Sequence, residues 1–209
     1  MKILVVGATG GTGQAIIRTA QAQGHSVVAL VRSRQKAAQL EGAVLVDGDA
    51  RDEAAHFAAL DGCDAVISAL GTGIGPIKEI TLLSQSTAAL IAAMRRRGVP
   101  RLVCITGMGA GDSKGHGGFL YDWLIQPILL RKVYEDKDRQ EALVRSSGLD
   151  WVIVRPTVLD DKTEPQTVRA LTDLSGFHGG TISRQSVAGF VVAQLTQDTW
   201  LGKAPLITA

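Results

Sequence analysis

Four glycines stand within seven residues near the start of the chain, in the stretch VVGATGGTG at residues 5–13. Gly7, Gly10 and Gly13 follow a short apolar run and precede a stretch of helical spacing, as in the first turn of a βαβ unit. There, N–H groups at the helix start and the positive end of its dipole can hold phosphates. The loop is therefore predicted to bind a dinucleotide rather than only to form a turn. The residues predicted to surround its phosphates are Gly7, Thr9, Gly10, Gly11, Thr12 and Gly13.

The residues behind the second apolar run indicate which dinucleotide is preferred. Proteins that select NAD place Asp or Glu there, to accept a hydrogen bond from the ribose 2′-hydroxyl. This chain has Arg32, Ser33 and Arg34 instead, and no acidic residue before Glu41. Guanidinium and hydroxyl groups suit a 2′-phosphate. NADP(H) is therefore the predicted cofactor, with NAD(H) possible, and a solvated basic turn is the alternative interpretation.

The elements that must position this loop alternate regularly along the chain. Apolar runs without an exposed face, separated by helical stretches, indicate a parallel sheet covered on both sides. The predicted fold is a Rossmann-type, doubly wound α/β domain, whose ligands bind at the carboxyl ends of the strands. The predicted strands are KILVV, SVVALV, AVLVDGD, DAVISAL, RLVCIT and DWVIVRP, with helices at about residues 53–60, 82–97 and 133–147.

The length of 209 residues favours a single domain, 1–209. Residues 1–156 form the predicted dinucleotide-binding core, and residues 157–209 form a small C-terminal part that completes the substrate crevice. Within that part, residues 160–180 are polar and irregular, while RQSVAGFVVAQLTQ predicts a helix and APLIT a last strand.

Composition excludes several function classes. A net charge of +2 gives no electrostatic case for binding nucleic acid or an anionic membrane surface. No apolar segment approaches the roughly 20 residues of a membrane span, and no leader is recognisable. Cys63 and Cys104 are predicted to be buried, reduced thiols, and the histidines lack metal-ligand spacing. The sequence thus predicts a cytoplasmic protein without a metal site, as a monomer or homodimer.

Several motifs together resemble one family. GATGGTG, VRS, DGDARD, VISALG and DKDRQEALVRSSGLDWVIVRPTVL resemble the atypical short-chain dehydrogenase/reductases. The branch they resemble contains flavin reductase (biliverdin-IXβ reductase) and the NmrA-like NAD(P)-binding proteins. The resemblance covers nearly the whole chain and implies further cofactor contacts. These are Asp49 and Ala50 at the adenine, Ala69, Leu70 and Gly71 at the adenosine ribose, Thr106 at the nicotinamide, Lys137 at its ribose, and Pro156, Thr157 and Val158 at its carboxamide.

Departures from the family pattern affect the predicted chemistry. Ordinary members use Tyr-x-x-x-Lys, but Val133 stands four residues before Lys137. Tyr134 is one step off, about 100° around a helix, and is expected to point elsewhere. The usual catalytic Ser is replaced by glycine, which leaves Thr106 as the nearest hydroxyl. Thr106 and Lys137 are the remaining catalytic candidates, and Val158 replaces the His of flavin reductase.

Hydride transfer without a dedicated acid suits an acceptor that delocalises the incoming charge. The predicted function is NADPH-dependent reduction of a planar acceptor such as a flavin or quinone. Candidate acceptor contacts are Tyr121, Trp123 and His116, although core aromatics and a solvated His are the simpler interpretation. The glycine-rich stretch 107–118 is predicted to cover the crevice as a lid. Arg155 is expected to meet either a cofactor phosphate or a carboxylate.

Two other functions remain open at this level. An NmrA-like regulator would bind NADP through the same loop and signal its occupancy to a partner without turnover. A sugar-nucleotide epimerase or dehydratase shares the fold, but it is expected to need the tyrosine and a larger C-terminal substrate region.

Overall fold

The computed structural model describes residues 1–72, 80–116, 130–162 and 166–209. Within these ranges, strands and helices alternate up to β6, as the sequence pattern predicts. The strands are β1 Lys2–Val6, β2 Ser26–Val31, β3 Val44–Asp47, β4 Ala65–Ser68, β5 Arg101–Ile105, β6 Asp150–Pro156, β7 Val158–Asp160, β8 Arg169–Leu171, β9 Thr181–Ser183 and β10 Leu206–Thr208. The helices are α1 Gly11–Ala22, α2 Glu53–Ala59, α3 Leu82–Arg97, α4 Arg131–Arg145 and α5 Arg184–Ala193, with short 3₁₀ turns at Gln35–Ala37 and Gly111–Ser113.

The described strands form an eight-stranded sheet in the order β3-β2-β1-β4-β5-β6-β10-β8. Its pairs are parallel except β10 with β8, and β7 pairs with β9 in a separate two-stranded sheet. The order 3-2-1-4-5-6 is that of the Rossmann fold. The predicted single α/β domain is confirmed, and the carboxyl ends of β1 to β6 share one edge where a ligand crevice belongs.

Alternate residues of each central strand enter different cores. In β1, Ile3 and Val5 pack with the helices α1 and α5, whereas Leu4 and Val6 pack on the opposite face with α2, α3 and α4. Burial of both faces explains why the strand sequence is apolar throughout. The sheet is thereby held between two helical layers, so the strand ends that carry the site are fixed in position.

Two sequence expectations need correction in the C-terminal part. Residues 160–180 were expected to be irregular, but β8 lies there as an edge strand antiparallel to β10. Three residues are too few to show the alternating pattern by which a strand is predicted from sequence. This strand is defined by its pairing with β10, which is distant in the sequence. The predicted C-terminal helix ends at Ala193, four residues early. No described helix is long and apolar enough to span a membrane, and Cys63 and Cys104 are free and buried as predicted.

Candidate functional site

Two glycines of the first loop are required by close packing of the backbone. Gly7 has φ +85°, and a Cβ there would lie 2.5 Å from the carbonyl oxygen of Ala69 at the end of β4. A Cβ at Gly13 would overlap the carbonyl oxygen of Gly7. Gly7 therefore lets the loop lie against Ala69 and Leu70, and Gly13 lets α1 approach the loop. Beyond them, Gly71 is exposed at the same edge.

Packing within the protein does not require a glycine at position 10. Its φ is −76°, and a Cβ there would meet the carbonyl oxygen of Gly7 at an ordinary 3.5 Å. Gly10 and Gly11 are exposed, no described side chain caps α1, and its first turn carries no acidic residue. Thr9 is exposed and Thr12 half-buried beside them. An open, uncapped helix N-terminus next to a glycine that the fold does not need fits an approaching anion.

Basic side chains collect at the carboxyl ends of β2 and β3. The Arg34 guanidinium contacts Asp47 at 2.7 Å and is thus turned towards β3. Arg51 binds the carboxylate of Asp49, with Nη2 2.7 Å from Oδ2. Hydrogen bonds from Arg51, and to a smaller degree the charge of Arg32, hold the pKa of Asp49 well below its usual range. Sequence reasoning missed Arg51, although its place directly after DGDA was a usable signal.

A buried histidine fixes the backbone that follows Asp49 in this basic region. The His56 ring is buried, and its Nε2 lies 2.6 Å from the carbonyl oxygen of Ala50, which requires Nε2 to carry the proton. Burial lowers the pKa of His56, so the ring is held neutral. Ala50 is itself buried, while Ser33 is half-buried at the end of β2.

A cleft of about 410 Å³ opens between the ends of β5 and β6 and the first turns of α4. Its walls are mainly apolar, and it brings together Thr106, Lys137 and the three residues predicted to face the carboxamide. The described lining residues are Thr72, Thr106, Gly107, Met108, Leu130, Val133, Tyr134, Lys137, Pro156, Thr157, Val158 and Leu159.

The polar groups around Lys137 hydrogen-bond within the protein, whereas the buried Thr72 hydroxyl has no partner among the described residues. Lys137 Nζ donates to the carbonyl oxygen of Thr106 at 2.7 Å, and burial lowers the pKa of Lys137 to about 8, against the opposing charge of Glu141. The Thr106 hydroxyl donates to Glu141 Oε1 at 2.8 Å. The hydroxyl that the sequence predicts to lie nearest to the nicotinamide therefore donates its hydrogen bond to Glu141.

Tyr134 lies in the cleft, so the expectation that it points elsewhere was wrong. Its hydroxyl donates to the carbonyl oxygen of Met108 at 2.8 Å, and its ring centroid lies 4.8 Å from Lys137 Nζ. Residues three apart on a helix are about 60° apart around the axis and share a face, as do residues four apart. Tyr134 and Val133 therefore both flank the side of α4 that carries Lys137.

Glu141, which accepts from the cleft residue Thr106, also forms a buried ion pair with Arg155. Arg155 is 2% exposed and binds Glu141 with Nε and Nη2, at 2.9 and 2.6 Å, while its Nη1 lies 2.5 Å from Asp112. Glu141 thus supplies the carboxylate that was one of the two expected partners of Arg155. Asp112 thereby fastens the described part of the predicted lid, residues 107–116, to β6.

None of the three residues predicted to contact the acceptor is found in the cleft among the described residues. Tyr121 and Trp123 lie outside the described residues. His116 Nδ1 lies 3.0 Å from the carbonyl oxygen of Phe177, and the His116 ring stacks on His178 with centroids 6.1 Å apart. His116 is not among the described residues that line the cleft.

Comparisons with known proteins identify the family to which this fold belongs. A protein-family model described as NAD(P)H-binding matches residues 7–198. The uncharacterized sugar epimerase YhfK of Bacillus subtilis is 32% identical over 204 residues, which cover 94% of this chain and 89% of the relative. The NAD(P)H azoreductase of Xenophilus azovorans is 32% identical over 156 residues, 74% of this chain and 47% of that enzyme. The solved structure of ChuY, an anaerobillin reductase from Escherichia coli O157:H7, matches with a TM-score of 0.83 and 22% identity over 100% of this chain and 97% of ChuY.

Proposed function

The chain belongs to the NAD(P)H-binding family, and we propose that it is an NADPH-dependent reductase of a planar acceptor such as a flavin or quinone. The observation that carries the proposal is that the two cleft hydroxyls beside Lys137 already donate hydrogen bonds within the protein. The Thr106 hydroxyl donates to Glu141, and the Tyr134 hydroxyl donates to the carbonyl of Met108. A carbonyl substrate needs a proton at its developing alkoxide, whereas a flavin or quinone delocalises the charge and takes its proton from water.

The residues divide into those that hold the cofactor and those that shape the acceptor space. The glycine loop and α1 would hold the pyrophosphate, Arg32 and Arg51 a 2′-phosphate, and Lys137 the nicotinamide ribose. When bound, the reduced nicotinamide supplies a hydride. The apolar walls of the cleft exclude water and orient a flat acceptor, which is the main contribution that the protein makes to such a reaction.

The names of two similar proteins support the reductase class. The relative from Xenophilus azovorans is an azoreductase, and ChuY is described as an anaerobillin reductase. An azo bond is part of a conjugated acceptor. By analogy, the acceptor of this chain is a conjugated, planar molecule.

Preference for NADPH rests on the charge at the end of β2. Replacing Arg32 by Ala removes a cation that no described side chain neutralises by a direct ion pair. A charge-assisted hydrogen bond to a 2′-phosphate is worth about 1.4 kcal/mol or more, so we expect KM for NADPH to rise about tenfold. KM for NADH, which lacks this phosphate, is expected to stay unchanged.

The test is steady-state oxidation of NADPH and NADH with flavin mononucleotide and then a small quinone. Arg169→Ala is the matched control, because Arg169 is exposed on β8 at the opposite edge of the sheet. Saturable turnover that prefers NADPH, with the preference reduced only in Arg32→Ala, supports the proposal. Tight NADPH binding without reduction of any acceptor would favour a sensing protein instead.

A sugar-nucleotide epimerase is the second candidate. Tyr134 stands in the cleft beside Lys137, and the relative YhfK carries an epimerase description. Interconversion of a nucleoside-diphosphate sugar by the purified protein, abolished in Tyr134→Phe, would favour this activity over the reductase.

A further inference from the structure

Arg184, the first residue of α5, lies directly against the first residue of α1. A Cβ built at Gly11 would come within 3.1 Å of both Cδ and Nε of Arg184 and within 3.8 Å of its Cζ. A guanidinium from the C-terminal part of the chain is therefore in contact with the glycine loop. No local sequence pattern indicates this proximity, because the two positions lie 173 residues apart along the chain.

The ion pair of Arg184 does not account for its position. Its Nη1 contacts Asp161 at 2.5 Å, but the Asp161 side chain is 85% exposed, and ion pairs in such solvent contribute little to stability. A cation in the first turn of α5 is also disfavoured by the positive end of that helix. The helix is anchored without it, because Val187 and Val191 are buried in the core shared with α1.

Positive potential consequently accumulates at one place. The uncapped N-terminus of α1 and the Arg184 side chain lie next to each other there, and the acidic group paired with Arg184 is the exposed Asp161. The 30% exposure of the Arg184 side chain leaves its guanidinium accessible. An anion with two adjacent charges, seated on α1, would satisfy both the helix N-terminus and the Arg184 guanidinium.

We propose that Arg184 binds the pyrophosphate of the dinucleotide and that Asp161 competes with the cofactor for it. Arg184 leaves Asp161 when the pyrophosphate arrives and returns to Asp161 when it departs. The inference rests on the proposed function only for the location of the cofactor, and does not depend on which acceptor is reduced. It makes the C-terminal part a contributor to cofactor binding.

The two members of the pair are expected to have opposite effects on affinity. Arg184→Gln removes the phosphate ligand and is expected to raise the Kd for NADPH and for NADH about tenfold alike, since both carry the pyrophosphate. Asp161→Asn removes the competitor and is expected to lower the Kd for NADPH about two- to threefold. Asp198→Asn is the matched control, because Asp198 is likewise an exposed carboxylate paired with a less exposed arginine, Arg101, at 2.5 Å.

Isothermal titration of the full chain with NADPH, NADH, ADP-ribose and adenosine 2′-monophosphate measures these affinities without turnover. Arg184→Gln is expected to weaken the first three and to spare adenosine 2′-monophosphate, which has no pyrophosphate. Thermal unfolding of each variant separates lost binding from lost folding. Unchanged dinucleotide affinity in folded Arg184→Gln, or weakening by Asp161→Asn, would overturn the proposal.

These outcomes are distinct from failure of the reductase. A wild-type protein that binds NADPH and reduces no acceptor would contradict the reductase and leave the assignment of Arg184 testable by the same titrations. A wild-type protein that binds no dinucleotide would contradict both.

Discussion

At the scale of single residues, Lys137 is the group in the cleft whose charge depends on pH near neutrality. Burial lowers its pKa to about 8, so the ammonium is present below that pH and is lost as the pH rises through it. We expect the Kd for NADPH to rise about fivefold between pH 7 and pH 9.5, because an ammonium donates a stronger hydrogen bond to the ribose than an amine. Titrations over this range measure the effect.

Lys137→Met provides the control for that profile. Its affinity is expected to be weak at pH 7 and to change little with pH. A wild-type profile that is as flat as that of Lys137→Met would contradict the assignment of Lys137 to the cofactor ribose.

Tyr134 separates the two enzymatic proposals. Because its hydroxyl already donates to the carbonyl of Met108, Tyr134→Phe is expected to keep flavin reduction within about threefold of wild type. Loss of that hydrogen bond is expected to lower the free energy of unfolding by about 1 kcal/mol. Steady-state rates and urea unfolding measure the two effects, and a hundredfold loss of kcat would identify Tyr134 as a proton donor instead.

At the scale of elements, α4 is held against α3 by one buried carboxylate. Asp136 is fully buried, accepts from the backbone N–H of Leu83 at 2.8 Å and contacts the Ser84 hydroxyl at 2.5 Å. It therefore caps the N-terminus of α3 from a different helix. Since α4 also carries Lys137, this cap contributes to positioning the cleft.

Replacing Asp136 by Ala leaves those donors buried without their acceptor. We expect the free energy of unfolding to fall by about 2–3 kcal/mol, as measured by urea denaturation. Glu135→Gln is the control on the same helix, because Glu135 forms an exposed pair with Arg131 and is expected to matter by less than about 1 kcal/mol. Equal stability of Asp136→Ala and wild type would show that the cap is dispensable.

Local patterns predicted the elements well because each pattern has a local cause. The apolar runs predicted β1 to β6, and the loop at Gly7 was recognisable from its place between strand and helix. Features made by distant parts of the chain were not predictable in this way. Three examples depend on pairing or packing across the fold: the edge strand β8, the identity of Glu141 as the carboxylate that binds Arg155, and the position of Arg184 beside Gly11.

At the scale of the whole molecule, the family resemblance is confirmed, because the NAD(P)H-binding match spans residues 7–198. The division at residue 156 and the individual cofactor contacts stay predictions. Residues 157–159 do line the cleft, and β10 lies beside β6 in the main sheet. The C-terminal part is therefore built into the same sheet that carries the glycine loop.

Under the proposed function, this protein passes a hydride from NADPH to a planar acceptor. Anaerobic single-turnover oxidation of NADPH by flavin mononucleotide, with the transferable C4 hydrogen replaced by deuterium, tests it most directly. We expect one flavin to be reduced for each NADPH oxidised, with a slower rate for the deuterated cofactor. Tight binding of NADPH with no oxidation by either flavin or quinone would contradict it.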